Sequence, residues 1–200
     1  MKIDYIFANF LGEGILENIN NSSLKTFILD LKKKDKGRNL SNYGGWQSND
    51  LSLQENVLKD LLIEIEKNLV LFEQTLRLRK EFKLKVDTLW ANVNGAGAIN
   101  ISHVHPGSIL SGVYYVTLPE NSGNLGLMNP NILNFFFDAP GGVETFTEGP
   151  TLFTTGHIFR KSKPGGLLIF PSHLSHHVLP NLSKQQRISL SFNTGLARRE

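Results

Sequence analysis

Residues 99–118 read INISHVHPGSILSGVYYVTL, and this stretch contains the pattern that decides the fold. Two segments, 99–104 and 111–118, are rich in β-branched and aromatic residues, and a Pro106-Gly107 pair separates them. Short runs of this kind, bounded by turn residues, are typical of β-strands. Similar runs recur in the second half of the chain, at 84–93, 134–137, 166–170 and 187–193. Many short strands at close spacing favour a β-sandwich or barrel over alternating β–α units.

The first part of the chain has helical periodicity instead. Apolar residues at helical spacing begin just after Ser22 and Ser23, either of which can cap a helix. Ser52 and Glu55 have the spacing of a capping box and precede a long apolar stripe. This pattern predicts an amphipathic helix over 52–80.

The composition fits one domain with a buried core. The chain has 200 residues, of which 40% are hydrophobic, and thirteen are Phe. We therefore predict a single domain, 1–200, in which a helical region, 1–83, braces a β-rich core, 84–200. Between the helices, the Gly-containing segment 41–48 is interpreted as a turn whose Trp46 fills part of the core.

The composition also excludes several classes of site. Cys is absent, which excludes disulfides, zinc–thiolate sites, iron–sulfur clusters and thiol nucleophiles. No apolar run approaches the ~18 residues of a membrane span, and Asp4 and Glu13 interrupt the pattern of a signal peptide. We therefore expect a cytoplasmic protein without a membrane partner. The net charge is only +3, and the basic residues cluster at predicted helix ends, which does not favour nucleic acid as a partner.

All six histidines lie after residue 102, and this uneven distribution points to a site. His103 and His105 end a predicted strand, in which residues two apart share a face. Taken alone, such a pair is more often exposed or hydrogen-bonded than metal-binding. A second group of three follows a later predicted strand: His173, His176 and His177. A third ligand from a distant strand is what a facial metal site requires.

The segment 187–193 alternates strictly between polar and apolar residues. Its apolar positions are Ile188, Leu190 and Phe192. Its polar face, which includes Arg187, lies either in water or along a cavity inside a barrel. In a cavity, the buried guanidinium needs an anion, and its rigid fork suits a carboxylate. The pattern itself leaves both alternatives open.

Several motifs occur in a fixed order between residues 40 and 195. They are Gly44-Gly45-Trp46-Gln47-Ser48, Trp90-Ala91-Asn92-Val93-Asn94, His103-x-His105-Pro106-Gly107-Ser108, Ser111-Gly112-Val113-Tyr114-Tyr115-Val116, Phe170-Pro171-Ser172, His176-x-Val178-x-Pro180-Asn181 and Arg187-Ile188-Ser189. Together they resemble the iron(II)/2-oxoglutarate-dependent oxygenases, near the branch similar to prolyl 4-hydroxylases. The likeness is greater to a group of oxygenases of that superfamily known from bacteria and phages. If the chain is encoded by a phage, the expected location is the host cytoplasm.

The resemblance implies a mainly β fold with N-terminal α-helices and a double-stranded β-helix (jelly-roll, cupin-like) core. It implies that His103 and His176 bind iron(II). Arg187 would pair with the distal carboxylate of 2-oxoglutarate (2OG), with Ser189 and Tyr115 beside it. Other candidates for the pocket wall are Tyr114, Trp90, Asn92 and Asn94.

The residue two positions after the first histidine departs from the superfamily pattern. That ligand is Asp or Glu in the wider superfamily, whereas here it is His105. A third neutral ligand makes an iron site more positive than a carboxylate does. We expect His105 to be the third ligand, and a carboxylate from Asp138 or Glu144 is the weaker alternative.

The remaining histidines receive other interpretations. The His-x-Val-x-Pro pattern selects His176, and in an extended segment His177 faces away from it. His173 is expected to be exposed to solvent, and His157, beside Gly156, to lie in a surface loop.

The resemblance implies an oxygenase that uses iron(II), 2OG and O₂. We expect it to hydroxylate a small molecule or peptide with release of succinate and CO₂, using His103, His105 and His176 as the catalytic metal ligands. One alternative is a three-histidine, cupin-like metal dioxygenase that does not use 2OG. Another is a non-enzymatic jelly-roll protein that binds a ligand or belongs to a virion. The sequence leaves a homo-oligomer open.

Overall fold

The computed structural model describes residues 1–2, 8–131 and 155–199. In these residues the chain forms two antiparallel sheets of six and five strands, two α-helices and one short 3-10 helix. The six-stranded sheet contains, in spatial order, β1 (Gly12–Ile15), β9 (Gly166–Pro171), β6 (Leu110–Thr117), β11 (Arg187–Arg198), β4 (Phe82–Asn94) and β3 (Trp46–Gln47). The five-stranded sheet contains β2 (Asn42–Tyr43), β5 (Ile99–His103), β10 (His176–Val178), β7 (Leu125–Met128) and β8 (His157–Arg160). The chain therefore has the predicted mainly β, jelly-roll fold.

Two hydrophobic clusters hold these layers together. One lies between the helices and the outer face of the six-stranded sheet, and it includes the apolar face of β11: Ile188, Leu190 and Phe192. The other joins side chains of both sheets, such as Tyr115 from β6 and Leu127 from β7. Since β11 turns its apolar residues toward the helices, its polar residues face the space between the sheets.

The first helix, α1 (Asn21–Lys34), packs on β6. Its cap is Asn20, whose side-chain Oδ1 accepts a hydrogen bond from the backbone N–H of Ser23 at 3.0 Å. The prediction of Ser22 or Ser23 as the cap was therefore wrong. Both serines lie in the first turn, and Asn is an equally strong capping residue.

The second helix, α2 (Lys59–Thr75), packs on β4 and is shorter than the predicted helix over 52–80. Ser52 does not form a capping box, because its hydroxyl accepts from the N–H of Gln54 and its carbonyl accepts from the N–H of Glu55. These bonds form a turn, and a 3-10 segment (Asn56–Leu58) follows before the α-helix begins. After the helix, Arg77 has a φ of 50°, which is outside the right-handed helical region.

The segment 41–48 connects the edges of the two sheets. Its two short strands separate, because β2 pairs with β5 and β3 pairs with β4. Trp46 is 9% exposed, and its indole N–H donates to the carbonyl of Asp35 at 3.0 Å. The interpretation of this tryptophan as part of the core is confirmed.

The predicted strands agree with β4, β5, β6, β9 and β11 to within a few residues, except that β11 continues to Arg198 past an irregularity at Asn193/Thr194. The strands β1, β7, β8 and β10 are too short, or too mixed in composition, for the sequence pattern to have indicated them. The strand predicted at 134–137 lies outside the described residues. No helix in the described part of the chain is long and apolar enough to cross a membrane.

Candidate metal centre

Three histidines meet where two strands of the five-stranded sheet pair. His103 is the last residue of β5, and it lies opposite His176, the first residue of β10. His105 follows β5 by two residues. One ring nitrogen from each histidine lies within 4.8 Å of the others, and the rings of His103 and His176 have centroids 4.2 Å apart. This arrangement could hold one metal ion.

Backbone carbonyls fix the orientation of two of these rings. The Nδ1 of His103 is 2.7 Å from the carbonyl of Ile101, and the Nδ1 of His176 is 2.9 Å from the carbonyl of Leu174. A carbonyl only accepts, so each Nδ1 is the protonated nitrogen, and each Nε2 carries the lone pair that a metal requires. The Nε2 atoms of His105 and His176 are 3.2 Å apart, within hydrogen-bond distance and close enough for both to reach one metal ion.

Burial keeps the three imidazoles uncharged at neutral pH. It lowers the pKa of His176 to about 3, with a further lowering from the neighbouring His103. Burial, and then the proximity of His103, lowers the pKa of His105 to about 4. The pKa of His103 is also lowered by burial, although its hydrogen bond to Ile101 opposes this. Neutral imidazoles are the form that binds metals.

Aromatic rings and hydrogen bonds also hold the histidine cluster in place. The ring of Trp90 packs 5.5 Å from that of His105, and the ring of Phe170 packs 4.7 Å from that of His176. The backbone N–H of His105 donates to the carbonyl of Ser172 at 3.1 Å. The hydroxyl of Ser172 in turn lies 2.8 Å from that of Ser111. These contacts restrict the turn that carries His105.

A narrow cavity of about 50 Å³ between the sheets connects the histidines with Arg187. Arg187 is 3% exposed, so the polar face of β11 lines the cavity and is not in water. Its Nη1 donates to the carbonyl of Ser122 and, at 3.4 Å each, to the carbonyls of Gly123 and Leu179. Its Nη2 is buried and has no hydrogen-bond partner among the described residues.

The charge of Arg187 is not balanced by a carboxylate in the part of the chain that the structure describes. Burial lowers its pKa, and the Tyr115 side chain opposes that shift. Burial raises the pKa of Tyr115 to about 12, with the guanidinium acting in the other direction, so its hydroxyl stays protonated. Ser189 is also buried and lines the same cavity. A buried cation beside two hydroxyl-bearing side chains fits the carboxylate of a ligand.

A family model described as “Putative 2OG-Fe(II) oxygenase” matches residues 88–193, just over half of the chain. The chain belongs to this family of 2OG-Fe(II) oxygenases. It is therefore an oxidoreductase that uses iron(II), 2OG and O₂. The donor set fits these groups, because the histidines offer unprotonated nitrogens and Arg187 offers an unpaired one.

Solved structures with a similar fold include two prolyl hydroxylases and an epimerase. A prolyl-4-hydroxylase of Pseudomonas putida is 15% identical with a TM-score of 0.60, and the match covers 95% of this chain and 92% of that one. The non-heme alpha ketoglutarate dependent epimerase SnoN from nogalamycin biosynthesis is 13% identical with a TM-score of 0.68, covering 96% and 81%. The viral collagen prolyl hydroxylase of Paramecium Bursaria Chlorella virus-1 is 11% identical with a TM-score of 0.55, covering 95% and 96%. Comparison with curated protein sequences found no match.

The oxygenase places its other histidines away from the cluster. His177 turns to the opposite face of β10, where its ring packs 5.6 Å from that of His157. His173 is exposed, as predicted, and its Nε2 lies 3.0 Å from Oδ1 of Asn9. His157 is exposed but begins strand β8, so its assignment to a loop was wrong. Asp138 and Glu144, the alternative carboxylate ligands, lie outside the described residues.

The candidate pocket residues divide into two groups. Trp90, Asn92 and Tyr115 line the cavity. Tyr114 lies on the other face of β6 and donates its hydroxyl to Asn21 at 2.8 Å, whereas Asn94 bonds to Asn100 and does not line the cavity. Residues on adjacent positions of a strand face opposite sides, so only one of the two tyrosines reaches the site.

The sequence patterns left one contributor to the site conditional and missed another. Asn100 was expected to share the face of the histidines only if its strand is bulged or ends before it, and the pairing of β5 with β10 does shift register there, so Asn100 lines the cavity. Arg38 was grouped with the basic residues of solvated helix ends, but its guanidinium lies 6.0 Å from the centre of the Trp90 ring and pairs with Asp50. The placement of Arg38 depends on distant segments, so no local pattern could have indicated it.

Proposed function

We propose that His103, His105 and His176 bind the iron of this oxygenase, and that Arg187 binds the distal carboxylate of 2OG. The reaction is hydroxylation of a substrate with release of succinate and CO₂. The observation that carries this proposal is the shared cavity, which has three uncharged imidazoles and an unpaired guanidinium nitrogen in its walls.

The three histidines orient the metal and set the charge of its site. Iron(II), when bound, supplies the redox chemistry and a position for the 2-oxo acid end of 2OG. Three neutral imidazoles leave the charge of the dication uncompensated, whereas a carboxylate ligand would neutralise part of it. The site therefore attracts the dianionic 2OG more strongly than a two-histidine, one-carboxylate site does.

Arg187 and its neighbours select a dicarboxylate. A carboxylate can accept from the free Nη2 of Arg187, which supplies the partner that this buried atom needs. The hydroxyls of Ser189 and Tyr115 can donate to the same group, because Tyr115 remains protonated with a pKa of about 12. The cavity of about 50 Å³ is smaller than typical ligand pockets of ~300 Å³ or more, so 2OG entry requires side-chain movement.

The substrate that we propose is a small molecule or a peptide. The similar prolyl hydroxylase from Trichoplax adhaerens was solved in complex with a peptide fragment of the hypoxia inducible factor oxygen degradation domain. SnoN was solved with nogalamycin RO. Proteins of similar fold were thus solved with a peptide and with a small molecule, which supports proposing either class of substrate for this chain.

An anaerobic titration tests the role of Arg187. We expect the iron-loaded protein to bind 2OG with a visible absorbance change, and Arg187→Met to raise the Kd for 2OG at least about tenfold, the loss of a charge-assisted hydrogen bond. The matched control is Arg160→Met, which alters an exposed arginine paired with Glu13. Iron content should be unchanged in both variants. Equal 2OG affinity in wild type and Arg187→Met would contradict the assignment.

Aerobic turnover tests the reaction itself. With ascorbate added as the two-electron reductant in place of a substrate, admitting O₂ to the same samples should convert 2OG to succinate and CO₂, with the second oxygen atom released as water. Proton NMR measures the succinate, and His176→Ala should abolish the conversion. Succinate formation that survives in His176→Ala would remove this residue from the metal site.

A further inference from the structure

A surface groove of about 450 Å³ lies beside the metal centre. It shares four lining residues with the inner cavity: Ser41, Trp90, His103 and His105. A molecule in the groove therefore contacts the rings that also face the candidate iron site. This position suits the substrate better than 2OG, whose proposed partner Arg187 lies in the inner cavity.

Three buried polar atoms near this groove have no hydrogen-bond partner among the described residues. They are Nε of Arg38, Oε1 of Gln47 and Oδ1 of Asn92. Gln47 is 3% exposed and Asn92 is 5% exposed, so neither side chain is simply hydrated. An unpaired buried polar group costs about 1–3 kcal/mol, and folded proteins keep few of them. Three such atoms on neighbouring residues mark a place where a ligand can supply the partners.

These three residues are neighbours in the structure, and we call them the polar shelf. The backbone N–H of Arg38 donates to the carbonyl of Gln47 at 2.8 Å. Gln47 in β3 is directly opposite Asn92 in β4, and residues opposite each other in a sheet turn their side chains to the same face. Arg38 and Gln47 line the groove, and Asn92 lines the cavity behind it.

The polar shelf has the hydrogen-bonding pattern that complements an amide. Its two carboxamides present acceptors and its guanidinium presents a donor, so the ligand must supply N–H donors and a carbonyl acceptor. A carboxylate has no donor for Gln47 and Asn92, and an ammonium has no acceptor for Arg38. The terminal torsion of Gln47 is soft, so its carboxamide can turn toward a ligand in the groove.

The charge at the polar shelf also favours a neutral group over an anion. Nη2 of Arg38 is 2.5 Å from a carboxylate oxygen of Asp50, which offsets the positive charge. The guanidinium lies 6.0 Å from the centre of the Trp90 ring, and that ring packs 5.5 Å from His105. An amide held by Arg38 is therefore close to the rings of the metal centre.

We propose that the polar shelf binds an amide group of the substrate, an inference that rests on the proposed function. The amide belongs either to a peptide bond or to a terminal carboxamide. Gln47 and Arg38 are then specificity-determining residues, because they recognise a part of the substrate that does not react.

NMR of the zinc-loaded, ¹⁵N-labelled full chain tests this proposal with four small probes. We expect acetamide or N-methylacetamide to shift the side-chain N–H signals of Gln47, whereas acetate and methyl acetate leave them in place. A stronger effect of N-methylacetamide identifies a peptide bond as the source, and a stronger effect of acetamide identifies a terminal carboxamide. The proposal is overturned if neither amide shifts these signals or if methyl acetate shifts them equally.

Variants supply the second part of the test. We expect Gln47→Leu and the closer isostere Gln47→Met, both of which remove the Oε1 acceptor, to weaken amide binding at least tenfold, followed through the Asn92 side-chain signals. The matched control, Gln54→Leu, alters an exposed glutamine before α2 and should bind as wild type does. Amide affinity that is unchanged in Gln47→Met would overturn the proposal, even if Gln47→Leu does not fold.

The same samples separate this proposal from the proposed function. The zinc content of the zinc-loaded sample shows whether the histidines bind metal. Amide shifts in a sample that does not retain the added zinc would contradict the metal site and support the polar shelf. Bound zinc without amide shifts would leave the metal site standing and overturn the polar shelf.

Discussion

His105 differs from the other two histidines of the cluster in how its ring is held. His103 and His176 each donate a ring N–H to a backbone carbonyl. Among the described residues the ring of His105 has no such carbonyl partner, and it packs instead on Trp90. Hydrogen bonds to the second ring nitrogen typically contribute 10–100-fold to metal affinity. His105 is thus the histidine whose loss should matter least for metal binding.

Alanine substitution of each histidine tests this order. We expect His103→Ala and His176→Ala to weaken iron(II) or zinc(II) binding by about 100-fold or more, and His105→Ala by a smaller factor. Competition with a chromophoric chelator measures the affinities. The exposed His173 provides the control, because His173→Ala should bind metal as wild type does. A loss in His173→Ala as large as that in His176→Ala would contradict the assigned ligand set.

The lowered pKa values predict acid sensitivity of the metal-free protein. Burial lowers the pKa of His176 in the folded state to about 3, against an ordinary value of 6.5. Between these values the unfolded state binds more protons, so the free energy of unfolding falls as the pH drops from about 6.5 toward about 3. Urea unfolding at several pH values should show that the free energy of unfolding changes less steeply with pH in His176→Asn than in wild type. If the pH dependence is identical in the variant, burial of this imidazole does not contribute to the acid sensitivity.

At the scale of elements, the connection between β6 and β7 positions the guanidinium of Arg187. This connection supplies the carbonyls of Ser122 and Gly123 that accept from Nη1. Gly123 has a φ of 92°, and a Cβ there would lie 2.0 Å from the carbonyl oxygen of Leu179 and 2.7 Å from Nη1 of Arg187. The close approach of two backbone segments therefore requires glycine at this position.

Replacement of Gly123 by alanine should affect both stability and the 2OG site. We expect Gly123→Ala to lower the free energy of unfolding by about 2 kcal/mol or more, because of backbone strain and the close contact. The Kd for 2OG should rise as Arg187 is displaced. The control is Gly95→Ala, where a Cβ meets nothing within 4 Å. Urea unfolding and 2OG titration measure the two effects. If Gly123→Ala changes neither the free energy of unfolding nor the Kd for 2OG, the connection between β6 and β7 can accommodate a Cβ at this position.

At the scale of the whole molecule, the site lies between two sheets that the helices support from outside. The core that joins helices and sheet includes Leu61 and Ile65 from α2 and Leu89 from β4. At the far end of β4, Arg199 pairs with the buried Glu73 of α2, whose Oε1 accepts from the N–H of Leu84. Because the histidines come from the five-stranded sheet and Arg187 from the six-stranded sheet, occupancy of the site by metal and 2OG should stabilise the fold as a whole.

Thermal melting measures this coupling. Binding to the folded state at a 2OG concentration about one hundred times Kd adds about 2.7 kcal/mol, which for a chain of this size raises Tm by roughly 5–10 °C. We expect this increase in Tm when zinc and 2OG are added together. Arg187→Met should lose the increase in Tm that 2OG causes and keep the increase that the metal causes. An equal 2OG effect in wild type and Arg187→Met would place the binding site elsewhere.

Much of the fold follows from local patterns in the sequence. The alternation of 187–193, for example, is enough to give a strand whose apolar face must be buried, and β11 has that face against the helices. The helix boundaries were less accurate, because Asn20 competed with Ser22 as a cap and Ser52 formed a turn. Short strands such as β7 and β10 depend on partners for their hydrogen bonds, so their own residues indicate them weakly.

The sequence by itself determined which residue types were available for chemistry: no Cys, three histidines in motif spacing, and one arginine in an alternating strand. Only the tertiary structure decided that Arg187 is buried, that His105 approaches His176 to 3.2 Å, and that Arg38 and Gln47 border the metal centre. The reason is physical. Periodicity fixes the face on which a side chain lies, whereas register, bulges and the packing of distant segments decide what that face meets.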